Sequence, residues 1–319
     1  MQNNLRGNKA CVLACAGIIA ILFGACSTAG WAAGAAGVAP WWIWPLSLFA
    51  LCFVLGMIAV PAGVGGGVLF VPIVSGFFPF HLDFVRGAGL LVALASAVAA
   101  APGLLRAGLA DLRLALPLAL LASMSSIVGA LVGLALPAAV VQSALGVTIL
   151  CIVALMWLAE KSEFPSVGES DSLAAALRIH GVFYDAVHHR EIAWRVHRTP
   201  LALMLFVGIG MLAGLFGLGA GWANVPALNL VMGVPLRLSA GSSGFILSIV
   251  DSSAVWVYIN KGAVLALIAA PSVIGMMLGA FIGARLLTII KASLIRNLVI
   301  VMLLAAGVRA LAKGVGLWN

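Results

Sequence analysis

The chain has 319 residues, of which 64% are hydrophobic and 8% charged, and a soluble domain of that size could not face water with so little polar material. The net charge of +8 comes from 17 Lys and Arg that stand singly in short connections and in one polar segment, not on a basic face, so nucleic acid is excluded as a partner. Lipid is the main solvent, and the expected fold is all-α: a polytopic integral membrane protein with about 20 apolar residues per span.

In chain order the apolar segments run over 11–30, 42–61, 68–79, 84–104, 114–135, 138–158, 200–216, 222–234, 238–258, 263–287 and 293–312. Arg6 and Lys9 followed by the apolar run Ala10 to Ala25 read as a signal peptide or a first span. Leu22 to Cys26 hints at a lipoprotein cleavage site, but Phe23 suits that site poorly, so residues 1–40 are taken as a retained signal-anchor or extra span. Trp41, Trp42 and Trp44 open the next span as an interfacial aromatic belt. Cys11, Cys15, Cys26, Cys52 and Cys151 all fall in apolar stretches and lack zinc or disulfide spacing.

Segments 68–79 and 222–234 are too short to cross untilted, and each follows a glycine cluster: Gly63-Val64-Gly65-Gly66-Gly67 and Gly217-Leu218-Gly219-Ala220-Gly221. An offset of 154 pairs Gly56 with Gly210, Gly63 with Gly217, Gly65 with Gly219 and Gly67 with Gly221. The same offset pairs Pro72 with Pro226, Gly87 with Gly241, Gly108 with Gly262, Pro117 with Pro271 and Gly129 with Gly283. Two homologous halves are therefore expected, 41–159 and 200–319, each with a long helix, a glycine break, a short helix and three more helices.

The polar segment between them, 160–199, holds Lys161, Arg178, Arg190, Arg195 and Arg198 and is placed in the cytoplasm by the positive-inside rule. If the short helices cross, each half has five spans and the halves are inverted; if they are re-entrant, the halves are parallel. The placement of basic residues favours inversion, with the broken helices meeting at the midplane. Within the insert, Ile192, Trp194 and Val196 alternate with polar residues, and Arg178 to Tyr184 supplies a partner strand, which makes a β-hairpin. His180, His188, His189 and His197 read as a solvated or pH-responsive surface, with docking or regulation as the function kept open; no metal is assigned.

A glycine break in hydrocarbon is tolerated where it lines a cavity or is buried in protein. Glycine lets the backbone approach a solute, and the helix that follows aims unpaired N–H groups at it, which suits an anion. Close helix packing is the other use of such glycines. The candidate substrate-binding residues are Gly63, Gly65, Gly66, Gly67, Gly217, Gly219, Gly221, Asn224, Ser242, Ser243 and Arg86, the last as a guanidinium fork. Asp251, in the middle of an apolar segment, is assigned to proton coupling together with Asp83. Two alternatives stay open: an Asp83–Arg86 salt bridge, and Asp251 as a structural partner of Arg86 or Lys261. Neither glycine cluster follows a strand, so the nucleotide fingerprint does not apply and no cofactor is expected.

The stretches Gly56 to Pro72 and Gly210 to Pro226, with Gly108 and Gly262, resemble the TauE/SafE sulfite exporter family, an anion permease family, over about residues 45–312. The resemblance implies a bacterial inner-membrane protein that exports sulfite, sulfoacetate or related organosulfur anions. The partners expected are a small anionic substrate and membrane lipid, and a homo-oligomer is compatible with this. The expected function is secondary transport, not enzymatic chemistry. The alternatives are an importer or channel for another small solute, and a membrane assembly factor acting through the hairpin.

Overall fold

A computed structural model describes residues 42–62, 65–106, 110–158, 171–185, 190–286 and 292–316; the reading of the first 40 residues as a signal-anchor, Gly63, Gly108, His188 and His189 fall outside them. The helices are α1 (Ile43–Ala62), α2 (Gly66–Phe77), α3 (Leu82–Arg106), α4 (Leu112–Ala135) and α5 (Ala138–Leu158), then the short α6 (Ser172–Ala176). After strands β1 (His180–Asp185) and β2 (Arg190–Arg195) come α7 (Thr199–Phe216), α8 (Gly221–Pro226), a π turn over Ala227–Val231, α9 (Leu236–Asn260), α10 (Ala266–Leu286) and α11 (Ala292–Gly314). Among the described residues six helices are long and apolar enough to cross a membrane, namely α3, α4, α5, α7, α9 and α10, and the apolar stretches Ile43–Ala59 and Gly66–Phe77 are shorter.

Local chemistry sets the helix ends. Asp111 caps α4, its Oδ1 accepting the Leu114 N–H at 2.9 Å. Pro200 occupies the first turn of α7, where its missing N–H costs nothing. Pro226 ends α8, and the chain continues as the wider π turn, since proline supplies no N–H and crowds the preceding turn. Thus the second short segment, expected as one helix over 222–234, is a six-residue helix followed by a π turn.

Much of the inward surface is built from small residues, and many large apolar side chains face outward, unlike in a water-soluble bundle. On α4 Ala115, Ala119, Ala122, Ser126 and Gly129 are buried, whereas Leu116, Leu120, Met124 and Val128 are exposed. Met204 of α7 and Val301 of α11 are likewise exposed, at 75% and 65%. Backbones therefore approach closely, as in lipid, where van der Waals packing replaces the hydrophobic effect between helices. Helix α1 lies on α10, and α7 lies on α4. A Cβ at Gly56 would stand 2.6 Å from the Met276 carbonyl oxygen, and one at Gly283 would stand 2.9 Å from that of Met57. In the other pair Gly210 faces the Ala122 carbonyl and Gly129 the Met211 carbonyl, both too close for any side chain. Helices α3 and α9 pack on each other at the centre; α3 also touches α10, and α9 touches α4.

Strands β1 and β2 pair antiparallel with His180 opposite Arg195 and Asp185 opposite Arg190. Trp194 and Val196 are buried in one apolar cluster with Ala174 and Ile179. The hairpin is tied to the second half where the His197 N–H donates to the Met232 carbonyl at 3.2 Å.

Candidate functional site

Both glycine breaks sit at turns that a side chain would strain. Gly65 precedes α2 with φ +82°, and Gly217 and Gly219 have φ +69° and +74°, the left-handed region where only glycine is at ease. The fold brings the two breaks into contact. A Cβ built on Gly65 would lie 3.9 Å from the Gly221 Cα and equally far from a Leu247 methyl. On Gly67 it would lie 2.6 Å from the Leu218 carbonyl oxygen, 2.9 Å from that of Gly89 and 3.0 Å from the Ala93 Cβ. Backbone thus meets backbone across the break, with the small face of α3 behind it. Ser96, one turn beyond Ala93, accepts the Gly66 N–H at 3.3 Å through its Oγ.

Asp251 enters the same place from α9. A Cβ on Gly219 would be 3.0 Å from Asp251 Oδ2 and 2.9 Å from the Ala93 Cβ, so the carboxylate points at the second break. It is fully buried, and neither oxygen has a hydrogen-bond partner among the described residues. Asn224, also fully buried, has both its amide oxygen and nitrogen without a partner, and the indole nitrogen of Trp222 is buried and unpartnered too. These three side chains follow or face the second break. In a protein interior such groups are normally satisfied, so unpartnered polar side chains beside and just after the second break suit a polar solute.

Arg86 is turned to a different task. It is fully buried; Nη1 donates to Asp83 Oδ1 at 2.8 Å and to the Gly133 carbonyl at 3.1 Å, while Nη2 donates to the Leu215 carbonyl. Its guanidinium carbon lies 5.4 Å from the centre of the Tyr258 ring, and Tyr258 Oη donates to the Gly214 carbonyl at 2.9 Å. The last carbonyls of a helix have no partner of their own, so Arg86 and Tyr258 together cap the end of α7 just before the break, and the cation meets the negative end of the helix dipole. The Arg86 Cα also lies 2.7 Å from where a Cβ on Gly217 would stand. This contains the Asp83–Arg86 salt bridge, and it leaves Nε as the Arg86 donor without a partner. Asp251 pairs with neither Arg86 nor Lys261, since its oxygens have no partner.

The two hydroxyls assigned to the site lie elsewhere on α9. Ser242 and Ser243 are buried, but they precede Asp251 by about 12–14 Å along the helix axis, and Ser242 Oγ accepts the Asp111 N–H at 3.2 Å, joining α9 to the start of α4. The residues that sequence reasoning missed are Gly89, Ala93, Ser96 and Leu247. The small residues among them recur at helical spacing on α3, which is the pattern that could have marked this face.

The chain matches the family model described as "Sulfite exporter TauE/SafE" over residues 48–310. It is 25% identical over 267 residues to the "Probable membrane transporter protein ORF9" of Sinorhizobium sp, an alignment that covers 83% of this chain and 91% of that protein. No solved structure matches. With the family model spanning most of the chain, from the second turn of α1 nearly to the end of α11, the protein is a multi-pass membrane transporter, not an enzyme, and belongs to the TauE/SafE sulfite exporter family.

Proposed function

We propose that the protein exports small sulfur oxyanions such as sulfite or sulfoacetate across the bacterial inner membrane, coupled to protons through Asp251. The observation that carries this is the meeting of the two breaks: Gly65 and Gly67 stand against the backbone of Gly221 and Leu218, and Gly219 stands beside a buried, unpartnered carboxylate. Backbone N–H groups, the Trp222 indole and the Asn224 amide are donors fit for an oxyanion, and they hold it without the desolvation cost of a buried lysine. In this reading Gly65–Gly67, Gly219–Gly221, Trp222 and Asn224 bind. Gly63 belongs with them by its place in the first cluster. Arg86, Gly217 and Asp83 shape the second break, and Ser242 holds the start of α4 against α9.

The same reading takes the fold as two inverted repeats, and packing supports it. Gly56 faces Met276 while Gly210 faces Ala122, and Gly283 faces Met57 while Gly129 faces Met211. Each second contact is the first with both partners moved by the 154-residue offset and the halves exchanged. Helices α3 and α9 have equal length at that offset. Five crossings per half would invert one half relative to the other.

Flux into proteoliposomes tests the function. With an imposed pH gradient, at least one of labelled sulfite and sulfoacetate is expected to move saturably and faster than through protein-free liposomes, and a pulse of that anion is expected to move protons. Flux no faster than in protein-free liposomes for every sulfur oxyanion offered would overturn the proposal.

A further inference from the structure

From the arrangement at the breaks, and resting on the reading above that this is the solute site, we infer that the protein takes its solute as a monoanion together with one proton on Asp251, and rejects dianions. The argument is one of charge. The side chains that the structure sets against the breaks are Ala93, Ser96, Leu247, Asp251 and Met276, Trp222 and Asn224 follow the second break in sequence, and none of them is a cation. Helices α2, α7 and α8 and the π turn carry no Lys or Arg at all. Helix α3 supplies Arg86, whose terminal nitrogens are held by Asp83 and two carbonyls. Helix α4 supplies Arg113, exposed in its first turn. On α9 itself Arg237 and Lys261 stand near opposite ends, about 21 and 15 Å from Asp251 along the axis.

Of the other titratable groups on the packed elements, Asp83, Arg86 and Tyr258 engage one another and Asp111 caps α4, and none is a hydrogen-bond partner of the Asp251 carboxylate. An ionised Asp251 beside an anion would put two like charges in a buried place with only backbone dipoles to offset them. A proton taken from solvent onto an Asp251 oxygen removes that repulsion and converts an acceptor into an O–H donor for the solute. The loaded site then carries a single negative charge, within what fixed N–H dipoles, an indole and an amide can hold. A dianion would double it. Of the solutes that family membership suggests, this selects singly charged hydrogensulfite over sulfoacetate, which bears both a sulfonate and a carboxylate.

The test uses full-length protein in nanodiscs with methanesulfonate as the monoanion and sulfate as the dianion, titrated calorimetrically in buffers of different ionisation enthalpy. Methanesulfonate is expected to bind with uptake of one proton and to tighten by up to about tenfold for each unit fall in pH over the range where the free site is deprotonated. Sulfate is expected to bind about 100-fold more weakly. Asp251→Asn is expected to bind methanesulfonate without proton uptake and at a pH-independent affinity; because proton uptake is measured on the wild type, the inference does not depend on that variant folding. Methanesulfonate binding that shows neither proton uptake nor pH dependence at any pH, or sulfate binding as tightly, would overturn the inference while leaving the solute site in place. If neither probe nor sulfite bound at any pH, the functional reading would fail and the inference with it.

Discussion

Replacing Gly67 by Ala inserts one methyl group between the two breaks. Gly67 is helical, so the substitution removes no glycine-only conformation and by propensity alone would stabilise α2 by about 0.5–1 kcal/mol. The new Cβ, however, would stand 2.6 Å from the Leu218 carbonyl oxygen and 2.9 Å from that of Gly89, where ordinary contact begins at 3.4 Å. Both obstacles are backbone, so the second break must retreat by most of an ångström. Overpacking of this kind costs about 1–3 kcal/mol, leaving a net loss of up to about 2.5 kcal/mol after the propensity gain of about 0.5–1 kcal/mol. Displacement on that scale at a site of fixed donors costs about 100-fold in function. Gly208→Ala is the matched control: on α7 its Cβ would meet nothing within 4 Å, so it should be neutral or slightly stabilising. Thermal unfolding in detergent and sulfite flux in proteoliposomes measure the two effects. Gly67→Ala is expected to lose a few degrees in Tm and nearly all flux, and Gly208→Ala to keep both. Equal flux in the two variants would refute the assignment of the breaks to the solute.

Arg86→Gln leaves the Asp83 carboxylate and the Gly133 and Leu215 carbonyls without their donor and should cost about 3–5 kcal/mol in thermal unfolding, whereas Tyr258→Phe, losing one neutral bond to Gly214, should cost about 0.5–1.5 kcal/mol; a similar Tm for both variants would contradict the capping role. Asn224→Ala removes a buried amide that has no partner, so the solute-free protein should be as stable as wild type or more so, while sulfite affinity falls by about the value of one hydrogen bond, 0.5–1.5 kcal/mol. Unchanged sulfite binding in that variant would remove Asn224 from the site. Single cysteines at Ser172 and Lys261, both exposed, should react with impermeant reagents from opposite sides of the membrane in a background without native cysteines. Reaction from the same side would sink the inverted arrangement.

The long helices were legible because lipid demands continuous apolar stretches: the segment 84–104 lies within Leu82–Arg106, and 138–158 coincides with Ala138–Leu158. The breaks were legible for the converse reason, since glycine clusters are rare inside spans unless the backbone must leave the helix. What could not be read was which distant backbone each polar side chain would meet. Asp83 and Arg86 are visibly one turn apart, but the carbonyls that complete the Arg86 shell come from Gly133 and Leu215, which no local pattern links to it. Ser242 and Ser243 suggested an oxyanion site by residue type; the later serines of α9, Ser248, Ser252 and Ser253, donate to carbonyls three or four residues back on their own helix, the usual way a helix absorbs a hydroxyl. Asp251 stood out as a mid-span carboxylate, yet its proximity to Gly219 is a fact of packing between α9 and the second break.

Locating the bound anion is the most direct measurement of where the solute goes. Selenite is a close analogue of sulfite with a usable absorption edge, and anomalous diffraction from crystals grown with it would mark the anion independently of the protein phases. The expected result is one strong peak between Gly65–Gly67 and Gly219–Gly221, within hydrogen-bonding reach of Asp251 and Asn224 and lost in Gly67→Ala. A peak at Ser242 and Ser243, or at the Arg86 guanidinium with the breaks unoccupied, would contradict the site.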